Sequence, residues 1–264
     1  MLKEQCSEET SRIADELEYA LEKRQLSLHY QPQFEFPSGN IRGFEALLRW
    51  HHPELGSISP LRFIPIAEET GLIDSIGMWV MHQACEKIRQ IQKSHLPNSI
   101  ISVNISAIQL NNPFFFENVM NVLHQTSIAP QYLELELTES TNIACINNGT
   151  DTLRALALQG IKIALDDFGV ENNSLLQLQK LPLSTIKIDR SFVINMMHDS
   201  RCKIITEWVI TLARKLGLIV IAEGVESFEQ LHQLRQWECE YIQGYLLSRP
   251  LSEQELLLLA KSYL

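Results

Sequence analysis

Ile13, Leu17, Ala20 and Leu21 recur at helical spacing with charged residues between them, which predicts an amphipathic helix. Leu26-Ser27-Leu28-His29-Tyr30 alternates and predicts a strand, which Pro32 should limit if the strand is central. After a turn at Ser38-Gly39-Asn40, Ile41 to Trp50 reads as a second strand. His51 to Pro60 carries two prolines and a glycine and is expected to be loop. Helices are expected at Leu61 to Ala67, Val80 to Ile91 and Phe115 to Leu123, and strands at Ile100 to Ile105 and Tyr132 to Leu137. A regular alternation comes next: helix Thr152 to Leu158 capped by Gly160, strand Ile161 to Leu165, short helix Leu175 to Leu178, strand Thr185 to Ile188. The next helix places Ile205, Trp208, Val209, Leu212 and Leu216 on one stripe and ends at Gly217. Strand Leu218 to Ala222, helix Phe228 to Leu234, strand Glu240 to Gln243 and helix Leu251 to Ala260 complete the pattern.

Eight strand candidates, mostly separated by helices, point to an α/β fold of the (β/α)8 barrel type. The later strands are continuous apolar runs, as when both faces are covered. An open doubly wound sheet is the rival. A length of 264 residues and 45% apolar content suit one barrel-sized domain. No repeat or linker-like shift divides residues 1–264, so one domain is expected, with residues 1–25 an N-terminal helix or linker tail.

A net charge of −10 argues against a grip on long DNA or RNA through phosphates. A small anionic nucleotide stays open, because bound divalent cations would invert the local charge. Cys6, Cys85, Cys145, Cys202 and Cys239 are widely spaced, form no CxxC pair and are odd in number, so they read as free thiols in a reducing compartment. The N-terminal residues lack the apolar run of a signal peptide, and no apolar stretch is long enough to span a membrane. The expected location is cytoplasmic, either free or as the cytoplasmic part of a membrane-anchored parent protein.

The chemistry is concentrated at strand ends. Glu45 lies in or near the end of the second strand, Asn104 ends the third, and Glu136 and Glu139 end the fourth. Asp166 and Asp167 follow the fifth, Lys187 and Asp189 end the sixth, Glu223 and Glu226 follow the seventh, and Gln243 ends the eighth. In a barrel these ends converge on one mouth. Carboxylates gathered there would repel one another without compensation, and oxygen-only donors suit Mg²⁺ or Mn²⁺ rather than zinc. Two such ions, about 3.5–4 Å apart, clamp a phosphodiester for in-line attack. Lys187 sits between Ile186 and Ile188 in an apolar strand, where a lysine needs a charged partner. Taken singly, each acid has a plainer reading as a helix cap or solvated loop residue; their coincidence at successive strand ends carries the argument.

Ordered blocks extend this pattern. Tyr30-Gln31-Pro32, Glu45-Ala46-Leu47-Leu48-Arg49-Trp50 and the stretch from His52-Pro53 to Gly71 are followed by Asn104-Ile105-Ser106 and Glu136-Leu137-Thr138-Glu139-Ser140. Asp166-Asp167-Phe168-Gly169, Lys187-Ile188-Asp189, Ala222-Glu223-Gly224-Val225-Glu226 and Gln243-Gly244-Tyr245 complete the series. From about Leu26 to Pro250 the chain resembles the EAL domain family of cyclic di-GMP phosphodiesterases. The resemblance implies a modified barrel whose first strand runs antiparallel to its neighbour. It implies hydrolysis of cyclic di-GMP to linear pGpG with two Mg²⁺ or Mn²⁺ ions. Carried over residue by residue, it implies one ion on Glu45, Asn104, Glu136 and Asp166, and a second on Asp166, Asp167 and Glu223. It implies that Lys187 orients the attacking water and that Glu223 serves as metal ligand or general base. Gln31, Leu47, Arg49, Asp189 and Gln243 match positions that contact substrate or shape the site, and Glu139 and Glu226 match positions that support its loops. A homodimer, and an upstream sensor or cyclase domain in a longer protein, are further implications.

One stretch departs from the family. After Asp-Asp-Phe-Gly the family carries a small or hydroxylic residue, a glycine, an aromatic or similar residue and two serines. Here Val170-Glu171-Asn172-Asn173-Ser174-Leu175 keeps only the last serine. The resemblance implies that this loop shapes the second metal site and links it to the dimer interface. The departure therefore supports an alternative: a weak or inactive cyclic di-GMP receptor or protein-interaction module.

Overall fold

The computed structural model describes residues 2–94, 96–139, 149–170 and 174–263. Its strands are β1 (Leu26–Glu35), β2 (Ile41–His52), β3 (Gly56–Ile58), β4 (Ile100–Asn104), β5 (Leu133–Thr138), β6 (Lys162–Phe168), β7 (Thr185–Ile188), β8 (Ile219–Ala222) and β9 (Tyr241–Ile242). Its helices are α1 (Leu2–Ala20), α2 (Pro60–Thr70), α3 (Leu72–Ser94), α4 (Phe115–Thr126), α5 (Gly149–Leu158), α6 (Ser174–Lys180), α7 (Arg190–Asn195), α8 (Ser200–Lys215), α9 (Phe228–Gln236) and α10 (Glu253–Lys261).

The strands from β4 to β9 follow one another in parallel, with β2 parallel to β4. β1 closes the ring by pairing antiparallel with both β2 and β9. The hairpin explains the direction of β1. Only a few residues separate it from β2, too few for the crossover a parallel pair needs. β3 lies outside the barrel, antiparallel on the edge of β2. The fold is therefore the expected barrel with an antiparallel first strand, plus one short outer strand.

Four local expectations are corrected. β1 continues through Pro32 to Glu35. The Tyr30 N–H points away from β2, to the carbonyl of Leu251, and Pro32 shares its parity. On that edge β9 reaches only Phe34 and Glu35, so no acceptor loses a donor at Pro32. The segment read as loop from His51 holds the end of β2 and all of β3, because Trp50 and His52 pair with Ile58 and Gly56. On α8 the buried face is Thr206, Val209, Ile210 and Ala213. Ile205, Trp208 and Leu216 are exposed, so of the expected stripe only Val209 is fully buried. The last barrel strand shortens to Tyr241–Ile242.

At the end of the barrel away from the strand C-termini, Arg42 plugs the interior. Its guanidinium donates to both oxygens of Glu134 at 3.0 and 2.6 Å. Glu134 also accepts from Ser102 (2.9 Å) and Thr185 (2.6 Å), and Arg42 donates to Gln33 (2.6 Å). Burial alone would raise the Glu134 carboxyl, but Arg42 and these donors hold it down at about 2. Cys85 and Cys239 are buried free thiols pushed up to about 12 by burial, and Cys202 is free and half-buried. The Cys6 side chain and Cys145 fall outside the described part of the structure. Among the described residues no helix is long and apolar enough to cross a membrane.

Candidate active site

The strand-end acids meet at the barrel mouth around one buried ammonium. Lys187, on β7, is wholly buried, and its Nζ lies 2.7 Å from Glu223, 2.8 Å from Glu136, and 3.2 Å from both Glu45 and Asp166. These partners come from β2, β5, β6 and the loop after β8, so only ring closure brings them together. Burial disfavours the charged lysine, but four carboxylates outweigh it and raise Lys187 well above its ordinary value.

One ammonium does not balance four carboxylates. Glu136 and Asp166 are both raised, first by burial and then, against the pull of Lys187, by neighbouring acids. Glu223 rises to about 8 by burial, with Asp166 and Glu45 adding to it against Lys187. Asp167 rises to about 6, by burial and then by Asp166 and Asp189. Glu45 alone is lowered: burial would raise it, but Lys187 and donated hydrogen bonds from Gln243 (2.6 Å) and Asn104 (2.9 Å) prevail.

The adjacent pair Asp166-Asp167 poses a geometric problem, since neighbours in a regular strand face opposite sides. Here the β6–β7 register shifts between Leu165 and Phe168, and Asp167 adopts a left-handed φ of 55°. An aspartate tolerates that conformation better than a β-branched residue would. The bulge lets oxygens of Asp166, Asp167 and Glu223 come within 4.8 Å of one another. Glu45, Glu136 and Asp166 form a second such group. The donor set fits hard divalent cations. It is all oxygen, it carries excess negative charge, and Glu136 Oε1 is buried with no hydrogen-bond partner. With its amide nitrogen turned to Glu45, Asn104 leaves its carbonyl oxygen to complete the group of Glu45, Glu136 and Asp166.

The remaining sequence candidates take varied places. Gln243 holds Glu45, and its own Oε1 has no hydrogen-bond partner. Gln31 donates to the Ser248 carbonyl at 2.7 Å. Arg49 is half-buried and donates to the carbonyl of Leu48, its neighbour in β2. Leu47 and Arg49 share the inward face of the hairpin with Glu45 and, across the register, with Gln31 and His29. Asp189 caps α7, accepting from the N–H and hydroxyl of Ser191. Glu139 accepts from the Gly169 N–H at 2.8 Å, and its backbone carbonyl accepts from Gln177 at 2.8 Å. Gly169 is required there. Its φ is +102°, and a Cβ would stand 2.8 Å from the Phe192 ring. Glu226 accepts from Arg190 at 2.7 Å. Of the atypical loop, Val170 is described and exposed, whereas residues 171–173 lie outside the described residues.

A search for polar residues at strand ends misses the cavities beside the acids. One, of about 400 Å³, is walled by Leu48, Pro60, Leu61, Ile64, Pro65 and Ile73 and meets the site at Arg49 and Asn104. A smaller one, of about 140 Å³, meets it at Glu223 and is lined by Gln31, Arg190, Gln243 and Tyr245. A cluster of apolar residues on α2 next to a metal-type strand end was the available signal.

Fold and site together define a barrel with an acidic mouth whose carboxylates cluster as divalent-cation ligands would. The family model for the EAL domain matches residues 14–250, and the chain belongs to that family. It is 41% identical, over 95% of its length, to the bifunctional diguanylate cyclase/cyclic di-GMP phosphodiesterase MucR of Pseudomonas aeruginosa, covering 37% of that protein. It is 39% identical over 91% of its length to the cyclic di-GMP phosphodiesterase NbdA of the same organism, covering 31% of it. The chain thus spans about a third of the length of these curated relatives. Among solved structures, the P. aeruginosa MucR phosphodiesterase in complex with c-di-GMP superposes with a TM-score of 0.87 at 42% identity, over 93% of this chain and 99% of that one. The EAL enzyme Bd1971, in its cAMP- and cyclic-di-GMP-bound form, gives 0.92 at 31% identity, over 97% of this chain and 70% of that one.

Proposed function

We propose that this chain hydrolyses one phosphodiester bond of cyclic di-GMP to give linear pGpG. The observation that carries the reading is Lys187 buried among Glu45, Glu136, Asp166 and Glu223 at the mouth, between two cavities. An acidic mouth of this kind repels a phosphodiester unless cations are bound, and similarity to cyclic di-GMP phosphodiesterases supports cyclic di-GMP as the substrate. Glu45, Asn104, Glu136 and Asp166 would hold one Mg²⁺ or Mn²⁺, and Asp166, Asp167 and Glu223 a second. When bound, such ions supply Lewis acidity toward phosphoryl oxygens and make water acidic enough to ionise near neutral pH. Lys187 keeps a fixed positive charge where negative charge grows on the phosphoryl group. Of the four carboxylates around Lys187, Glu223 has the most exposed side chain, at 16%, and is placed to accept the proton of an attacking water. Arg49 offers a planar fork to a phosphate oxygen. The apolar cavity beside Asn104 takes one guanine, and the polar cavity at Gln31, Gln243 and Tyr245 takes part of the other half.

The test is incubation with cyclic di-GMP and Mn²⁺ or Mg²⁺, with product followed by chromatography. Wild type should form pGpG, and a folded Glu45→Ala variant should lose most of that activity. A second reading, binding without turnover, is favoured by the departure at Val170-Glu171-Asn172-Asn173. Calorimetric binding with no pGpG after long incubation would select it.

A further inference from the structure

We infer that Glu16, on the N-terminal helix, is a positioning residue for the apolar cavity beside Asn104. Ile13, Leu17 and Ala20 of α1 are buried, and α1 packs on α2. Glu16 makes the polar contact: its carboxylate lies 3.2 Å from Nε2 of His52, which is buried at the end of β2. The other ring nitrogen, Nδ1, accepts from the backbone N–H groups of Glu54 (3.2 Å) and Leu55 (3.1 Å). With two donors aimed at it, Nδ1 carries no proton, so the ring proton sits on Nε2 and is donated to Glu16. A second pair, Arg12–Glu54 at 2.5 Å, ties α1 to the same turn.

The turn fixes the path of the chain from β2 to α2. His52 to Leu55 lead into β3, and Ser59 starts α2, which carries Pro60, Leu61, Ile64 and Pro65 to the cavity wall. Glu16 therefore sets the tilt of the ring that organises the turn, and through it the seat of the wall. It touches none of the acids around Lys187. Its loss should weaken substrate binding and leave the chemical step alone. The inference rests on the reading that this cavity takes a base of cyclic di-GMP.

The experiment compares wild type, Glu16→Ala, Glu16→Gln and Lys23→Ala in steady-state hydrolysis of cyclic di-GMP with Mn²⁺, alongside hydrogen exchange. Lys23 also binds Glu16, at 2.9 Å, from the connection between α1 and β1 and serves as control. Glu16→Ala should raise KM about threefold to fivefold, the scale of a partly exposed ion pair, with kcat within about twofold. The Glu54 and Leu55 amides should exchange faster. Glu16→Gln keeps an acceptor for the His52 N–H and should restore KM, and Lys23→Ala should match wild type. If Glu16→Ala is unstable, Glu16→Lys, a long side chain with no acceptor, gives the same readings. An unchanged KM in the folded Ala or Lys variant overturns the inference, whether or not exchange changes. So does a fall in kcat at constant KM. Wild type that forms no pGpG defeats the functional reading instead, while the exchange data still report the contact.

Discussion

Replacing Lys187 by methionine removes the positive charge that Glu45, Glu136, Asp166 and Glu223 share at 2.7–3.2 Å. Methionine fills similar space, so the perturbation is mainly electrostatic. Removing one partner of a buried pair costs about 3–5 kcal/mol, because the remaining charge is left without compensation. The acids limit that loss by taking up protons. Glu136, Asp166 and Glu223 are already raised, so protonation is easy at low pH and unfavourable at high pH. Without metal, Lys187→Met should therefore cost about 3 kcal/mol or more at alkaline pH and about 1 kcal/mol in mild acid. For a domain of this size, each kcal/mol lowers Tm by roughly 2–4 °C, so the alkaline loss corresponds to about 6–12 °C. The assay is calorimetric or urea unfolding in a chelator, on the alkaline and acidic sides of neutrality, repeated with millimolar Mn²⁺. The cation should recover much of the alkaline loss, since it compensates the same acids. An alkaline loss below about 1 kcal/mol, or an equal loss at both pH values, would refute the view that Lys187 is held by charge balance.

Three further outcomes are expected. Asp167, at about 6, and Glu223, at about 8, lie above the unfolded carboxylate values of roughly 4, so the folded state retains protons that the unfolded chain releases. Their contribution is complete in acid and disappears as pH rises through those two values; metal-free Tm should fall over that window and flatten with Mn²⁺, and a metal-free Tm rising across it would refute the assignment. Arg42→Met strands Glu134 and should cost about 3–5 kcal/mol in urea unfolding, whereas Arg42→Met with Glu134→Leu should recover most of it. Val170→Thr, Glu171→Gly and Asn173→Ser together restore the family pattern beside Asp166 and Asp167, and should raise kcat with little change in KM; an unchanged kcat in the folded variant would show that the native loop already supports turnover.

The barrel and its polar mouth were legible in the sequence because both depend on short-range order. Apolar runs such as Leu218 to Ala222 mark strands covered on both faces, and residues at strand ends must share one mouth once the ring closes. A lysine between two isoleucines announced a buried charge in need of partners. Other features depended on contacts between distant elements. Periodicity located the helix at α8 but not its rotation: Ile205 and Trp208 match the spacing of a core stripe, yet Thr206, Ile210 and Ala213 face inward, because a second stripe of the same period lies one residue along and only the packing of α8 on the barrel selects between them. Asp166 and Asp167 could act together only through a bulge and a left-handed backbone, which alternation along a strand does not foretell. The segment after Trp50 read as loop because its prolines and glycine outweigh its short strand signal, and so the ring of His52, its two backbone donors and Glu16 stayed hidden. Local pattern reports which residues are apolar or charged; which of them meet is decided by how separate elements pack, and that is a property of the closed barrel.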